Sequence, residues 1–375
     1  LLLTGQLFAQ GGDLILNAAG NLTLAEGSIS TAGKRIVITG GVVGATGPGG
    51  SVVTVLGTVR AQLIDITTGA RNDTVTFSPS ALTGHVRILT GAGDDLIVLD
   101  AVPSLDAADK LVGSGPGALI NGTDAQGRPR NVLGVMLPLR DMIEVDGGAG
   151  SDTVRILLTA TQDNVFLVHD SGTSGVDRLE IVATAAAETF LVRANSITAM
   201  ATIPGRTATD AYERIGIDAS IDAINLDMRA GDDEVFLDDT PAPLTVDGGL
   251  GADSFQIGQM FGTARDVPRV AAGDQIATVE TTQGLLSRGV SFATTLNGGA
   301  GDDRFQVYGN QAPLSLNGDA DNDSFVVRAF LLRSGGGASS GTAVDGGAGD
   351  DAIAYAVNAL VSIAGGAGAD ALTIL

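Results

Sequence analysis

The feature that most constrains this chain is a six-residue glycine/aspartate turn, flanked by short runs of alternating apolar residues, that recurs along the sequence. Such turns end at Asp73, Asp95, Asp152, Asp233, Asp253, Asp303, Asp323, Asp351 and Asp370. Five have the full form Gly-Gly-x-Gly-x-Asp, at 147–152, 248–253, 298–303, 346–351 and 365–370, and the others are degenerate, as at 318–323. Where turns lie close together, their final aspartates stand 20 residues apart (Asp233 to Asp253, Asp303 to Asp323), 19 (Asp351 to Asp370) or 22 (Asp73 to Asp95). A near-constant step implies one structural unit per step. Two strands of four or five residues and two turns fill about twenty residues, one coil of a parallel solenoid with coils about 4.8 Å apart.

The alternation predicts which side chains face inward. Around 244–257 it places Leu244, Val246, Phe255 and Ile257 inside and Thr245, Ser254 and Gln256 outside, so that stacked coils build a rod-like apolar core. The turn glycines allow positive φ where the chain reverses direction. Pro241, Pro243 and Pro313 fall outside the strands, where a missing N–H does no harm. Residues 1–66 keep a different rhythm, with short strands every eight or so residues and no acidic turn, which predicts a β-helix with three strands per coil. The expected fold is all-β: a right-handed parallel β-helix or β-roll solenoid, with a first segment at 1–66 and a solenoid with acidic turns at 67–375. Insertions are expected near 103–140, 193–212, 258–290 and 328–343, leaving the coils as loops or small subdomains and carrying contacts on one face.

Composition decides what the turns can bind. Glycine contributes 54 of 375 residues, and 43 acidic against 21 basic residues leave a formal charge of −22. Nucleic acid is excluded as a partner, since no basic footprint exists for phosphate. Cysteine is absent, which removes disulfides, thiolate zinc sites and thiol nucleophiles. No apolar run reaches the length of a membrane span. The chain lacks an initiator Met and stops in the strand-like run 371–375, which reads as a fragment of something longer. Stacked coils would bring successive turn carboxylates within about 5 Å, where like charges repel by about 1 kcal/mol in water and by more at a protein surface. Calcium suits such a ladder, because it takes six to eight oxygens in flexible geometry. The expected ligands are Asp94, Asp95, Asp152, Asp232, Asp233, Asp253, Asp302, Asp303, Asp321, Asp323, Asp350, Asp351 and Asp370. The competing reading is that these aspartates only cap neighbouring backbone amides. The doubled Asp-Asp at 94–95, 232–233, 302–303 and 350–351 favours the metal, since an amide cap needs one carboxylate.

The turns resemble the calcium-binding repeats of the RTX (repeats-in-toxin) family of bacterial secreted proteins, with consensus Gly-Gly-x-Gly-x-Asp-x-hydrophobic-x. The resemblance implies a β-roll that folds on calcium after export. It makes Asp152, Asp253, Asp303, Asp351 and Asp370 turn-end ligands, with Asp95, Asp233 and Asp323 as weaker matches. The chain departs from the family in spacing: family repeats recur every nine residues and bind calcium on both edges, whereas here the step is about twenty. One edge at most would carry calcium, and the isolated turn at 147–152 is expected to stand without a partner. The opening run 12–25 looks like the β-helix repeats of filamentous haemagglutinin-type exoproteins, a resemblance that covers about fifty residues and implies an exported adhesin.

An enzyme is not expected. The strongest rival, a polysaccharide-active β-helix lyase or epimerase, needs a base, an acid and a charge-neutralising cation in one groove. Lysine is limited to Lys34 and Lys110, tyrosine to Tyr212, Tyr308 and Tyr355, and the two histidines, His85 and His169, lie far apart in strand-like stretches. A flat ice-binding array is also disfavoured, because Thr74, Thr76, Thr153, Thr245 and Thr295 keep no common register. The sequence therefore predicts an extracellular or cell-surface scaffold, a fibre or adhesin segment in a biofilm-like setting. Its expected partners are other copies of itself, further repeats of the same chain, or surface glycans and matrix.

Overall fold

Period-two alternation of Val, Ile, Leu and Phe makes each short run a strand with one apolar face, and that face can be buried only against a neighbouring coil. The computed structural model describes residues 1–41, 50–103, 120–123, 129–131, 142–201, 211–267, 275–330 and 340–375. Among the described residues the regular structure is all strand, with large parallel sheets and no helix. No helix among them is long and apolar enough to cross a membrane. The chain packs as two compact units, Leu1–Ile181 with Tyr212–Ala223, and Val182–Ala211 with Ile224–Leu375. The change of rhythm at residue 66 falls inside the strand Thr58–Thr67, within the first unit.

In the first unit each early coil carries three strands. Leu2–Leu3, Gln6–Ala9 and Leu14–Asn17 pair in parallel with Leu22–Leu24, Ile29–Ala32 and Arg35–Thr39. In the next coil the second and third strands fuse into Thr58–Thr67, on which Ala81–Leu89 stacks. The register of that last pair shifts between Thr83 and His85. Gly84 marks the bend: its φ is 112°, and a Cβ there would lie 1.9 Å from the Ala61 carbonyl oxygen. Further coils add Ile143–Asp146 and Asn164–His169 in register. The inward positions form columns, Ile36, Ile64, Val86, Ile143 and Phe166 in one and Ile38, Ile66, Ile88, Val145 and Val168 in the next, all buried.

The second unit uses two strands per coil. Leu244–Leu250, Thr294–Ala300, Leu314–Ala320, Thr342–Asp345 and Val361–Ala364 form one parallel stack. Glu234–Leu237, Ser254–Ile257, Arg304–Val307, Ser324–Val327, Ala352–Tyr355 and Ala371–Ile374 form the other. Leu244, Val246, Phe255 and Ile257 are buried, as the alternation predicts. Phe255, Phe305 and Phe325 occupy one column with ring centroids 4.7 Å apart and planes within 6° of parallel, so the aromatic stack takes the spacing of the strands themselves.

The insertions differ in kind. Ser196–Ala201 folds back antiparallel on Glu188–Arg193, and 258–290 contains a small antiparallel sheet of Met260–Phe261, Thr278–Glu280 and Leu285–Ser287. Most of the segments expected at 103–140 and 328–343 lies outside the described residues.

Candidate metal centre in the acidic turns

The acidic turns are stacked as tightly as the strands. In the full motif the second and fourth residues take positive φ, as at Gly299 (102°) and Gly301 (126°). Added Cβ atoms there would meet the carbonyl oxygens of Gly249 at 2.3 Å and Gly251 at 2.1 Å in the neighbouring coil. Glycine thus supplies both the backbone conformation and the close approach. In the degenerate turn at 318–323 the same positions are Asp319 (φ 71°) and Asp321 (φ 78°), one of the few residue types that tolerate this region. Backbone bonds join turn to turn, for example from the Ala367 N–H to the Gly347 carbonyl (2.7 Å) and from the Gly349 N–H to the Ala367 carbonyl (2.9 Å).

Two side-chain ladders of opposite polarity run along these stacks. The turn-end aspartates, buried except for Asp222 and Asp370, form the first: each accepts the backbone N–H of its counterpart in the preceding coil. In the first unit Ser51 donates to Asp73, Asp73 to Asp95 (2.6 Å), Asp95 to Asp152 (2.7 Å), Asp152 to Asp177 (2.9 Å) and Asp177 to Asp222 (2.8 Å). In the second unit Glu188 donates to Asp233 (2.6 Å), Asp233 to Asp253 (2.8 Å), Asp253 to Asp303 (2.7 Å), Asp303 to Asp323 (2.8 Å), Asp323 to Asp351 (2.8 Å) and Asp351 to Asp370 (3.2 Å). The exposed residues one position earlier form the second ladder, which points the other way. Ser151 N–H donates to Asp94 (2.9 Å), Ala252 to Asp232 (3.0 Å), Asn322 to Asp302 (3.0 Å) and Ala369 to Asp350 (2.8 Å). The Asp-Asp doubling therefore has an explanation that needs no metal, because each member caps a different amide. Asp321 accepts the Gly301 N–H (3.0 Å).

Amide capping uses one carboxylate oxygen and leaves the other. Oδ2 of Asp95, Asp152, Asp233, Asp253, Asp303, Asp323 and Asp351 is buried with no hydrogen-bond partner. In the full turns it lies over the first glycine: a Cβ on Gly298 would stand 2.1 Å from Asp303 Oδ2. Burial, only partly offset by the amide donors, pushes Asp95, Asp152 and Asp253 up to about 6 and Asp233, Asp303 and Asp323 up to about 7. Near neutral pH each such group holds a proton or needs a cation.

The turn at 147–152 does have partners. It is stacked between the turns ending at Asp95 and Asp177, through the bonds named above and the bridge between Ala92 and Ala149. The expectation that it stands alone fails because sequence neighbours are not coil neighbours: the inserted residues before it separate Asp95 from Asp152, and the next turn is disguised. That turn, Gly172-Thr-Ser-Gly175-Val-Asp177, keeps the first and fourth glycines and the final aspartate but has Thr173 at the second position. A search for Gly-x-x-Gly-x-Asp would have found it. Glu188 and Asp222 fill turn-end positions with no glycine signature around them.

This disguised turn creates the one place among the described residues where three acidic side chains each offer a ligand atom within 4.8 Å of the others: Asp152, Asp170 and Asp177. This buried triad could hold a metal ion. Asp170 has no equivalent in the sequence motif. Its backbone N–H donates to the Ser220 hydroxyl (2.7 Å), and its side chain accepts the Gly172 N–H. Burial pushes its pKa up to about 6, with Asp177, Asp152 and Asp146 adding like charge.

The two histidines also converge, contrary to their separation in sequence. His169 Nε2 lies 3.3 Å and His85 Nε2 3.7 Å from the Glu144 carboxylate, because the strands Ala81–Leu89, Ile143–Asp146 and Asn164–His169 are neighbours. Burial would raise Glu144, but its hydrogen bond with His169 and the nearby His85 imidazole outweigh it and bring it down to about 2. His85 is 2% exposed, while Glu144 and His169 are half-buried, so the three form a polar cluster on the stacked strands whose innermost member is closed to solvent. No protein-family model matches this sequence, and no curated protein matches it.

Proposed function

We propose that this chain is a structural or adhesive segment of a secreted bacterial surface protein, a right-handed solenoid of the RTX-like kind whose coils are locked by calcium along the acidic turns. The observation that carries the reading is the row of buried Oδ2 atoms without partners. They are all-oxygen, closely repeated and anionic when ionised, which fits a hard cation and gives a thiol- or imidazole-seeking metal no preferred donor. Asp95, Asp152, Asp233, Asp253, Asp303, Asp323 and Asp351 would hold the ions, while Asp94, Asp232, Asp302, Asp321, Asp350 and the exposed Asp370 would add charge at the rim. Calcium supplies positive charge to a row in which burial otherwise keeps Asp95, Asp152, Asp233, Asp253, Asp303 and Asp323 partly protonated near neutral pH.

Scaffolding follows from repetition: the same arrangement recurs in coil after coil, whereas a catalytic centre needs one place where acid, base and substrate meet. The polysaccharide-active alternative would draw on Glu144 with His85 and His169, but a sugar cannot reach a histidine as buried as His85. Low cytosolic calcium would keep the chain loose for export, and external calcium would close the coils. Limited proteolysis tests this. The account predicts rapid cleavage in chelator and a protease-resistant chain in millimolar calcium; equal resistance in both would remove calcium from the mechanism.

A further inference from the structure

We infer that Asp152, Asp170 and Asp177 form a discrete site for one calcium-class divalent cation, tighter than the positions along the ladders. Ladder neighbours contribute their free oxygens one per coil. At the triad a third carboxylate enters from outside the ladder, and the ligand atoms of all three lie within 4.8 Å. The three residues are only 2%, 8% and 7% exposed, and Oδ2 of both Asp152 and Asp170 is buried without a hydrogen-bond partner. Those two oxygens face each other closely enough to share one proton, and a cation between the carboxylates is the alternative that satisfies both. The remaining oxygens already serve the fold: Asp152 caps the Asp95 amide, Asp177 the Asp152 amide, and Asp170 the Gly172 amide.

The position of Asp170 sets this coil apart among the described residues. In the turns beginning at Gly248 and Gly346 the acidic residue just before the first glycine, Asp247 or Asp345, is exposed, and in the turn beginning at Gly147 the corresponding Asp146 is buried. Here Ser171 takes that place and its N–H is held by Asp146 (2.9 Å), while the acidic residue stands one position earlier, where it is buried. Three carboxylates and no imidazole or sulfur select a hard cation. More charge per ion raises affinity above that of the ladder.

The inference extends the calcium reading but does not require it, and the two can fail separately. Calcium binding by calorimetry would be compared among the wild-type chain, Asp170→Asn, Asp177→Asn and Asp303→Asn. Asparagine keeps an oxygen for the amide each aspartate caps, so the backbone arrangement is preserved. The expected result is one tight ion in the wild type, weakened at least about tenfold in Asp170→Asn and Asp177→Asn and unchanged in Asp303→Asn. Tight binding retained in Asp170→Asn overturns the triad, whatever the weaker ions do. A single tight ion with no weaker ones supports the triad and removes the ladder. Should either triad variant lose its β-sheet circular dichroism, wild-type crystals soaked in terbium decide the matter. An anomalous peak among the three carboxylates supports the site, and its absence overturns it.

Discussion

The first glycine of each acidic turn is fixed by the side chain it faces. Alanine at Gly298 would put Cβ 2.1 Å from Asp303 Oδ2, whose carboxylate is tied by its other oxygen to the Asp253 amide, and 2.9 Å from the Gly318 carbonyl oxygen of the backbone. Gly298→Ala should cost about 2 kcal/mol or more in chemical denaturation, while Gly262→Ala, where nothing lies within 4 Å, should stay within about 0.5 kcal/mol. A similar cost at both sites would contradict the stacking argument. Glu213 makes a second prediction at this scale. It is 2% exposed and accepts the Thr159 N–H at 2.7 Å, yet burial pushes it from 4.5 up to about 7. Between these values the folded chain binds the proton more tightly than the unfolded chain, so the group's contribution is full below about 4.5 and is lost as pH rises through about 7. Glu213→Gln keeps the acceptor without the charge. It should match the wild type near pH 4 and exceed its stability near pH 8 by about 1–3 kcal/mol, read from denaturation midpoints.

Within a single turn, capping and cation binding can be separated by chemistry. Asp303 accepts the Asp253 N–H with Oδ1 and leaves Oδ2 bare. Asp303→Ala strands that buried amide and should be about 1–3 kcal/mol less stable than Asp303→Asn in chelator, and it too should gain less from calcium than the wild type. Asp303→Asn should exceed the wild type in chelator at pH 8, because it keeps the acceptor without the buried charge that burial pushes up to about 7, but gain less from calcium. If both substitutions behave alike in chelator, the amide cap is not what the carboxylate contributes. Among the strands, Phe305 lies between Phe255 and Phe325 in the aromatic column. Phe305→Ala should cost about 3–5 kcal/mol in the same assay, since its neighbours belong to fixed coils and cannot close the space.

At the scale of the molecule, what could be read from the sequence is what repeats locally. Strand runs, their inward residues and the glycine-marked turns follow from the 2-residue period and from backbone sterics, which is why Leu244, Val246, Phe255 and Ile257 were legible. Coil adjacency was not, wherever an insertion intervened. The bond from the Asp95 N–H to Asp152 and that from the Asp253 N–H to Asp303 each span an insertion, and the convergence of His85 and His169 on Glu144 requires three non-consecutive segments. The triad was hidden for both reasons: Thr173 masks the turn ending at Asp177, and Asp170 belongs to no motif. The acidic pairs were legible as recurrent turn residues but not in their division of labour, because the opposite polarity of the two ladders exists only once the coils are stacked.

The central claim, that buried turn carboxylates need a cation, is tested most directly by differential scanning calorimetry of chelated protein at pH 8, titrated with calcium. The account predicts a low melting temperature without calcium that climbs steadily through the millimolar range, with a slope against log calcium that corresponds to several ions released on unfolding. A melting temperature that stays constant over that range would contradict it and leave the acidic turns as amide caps alone.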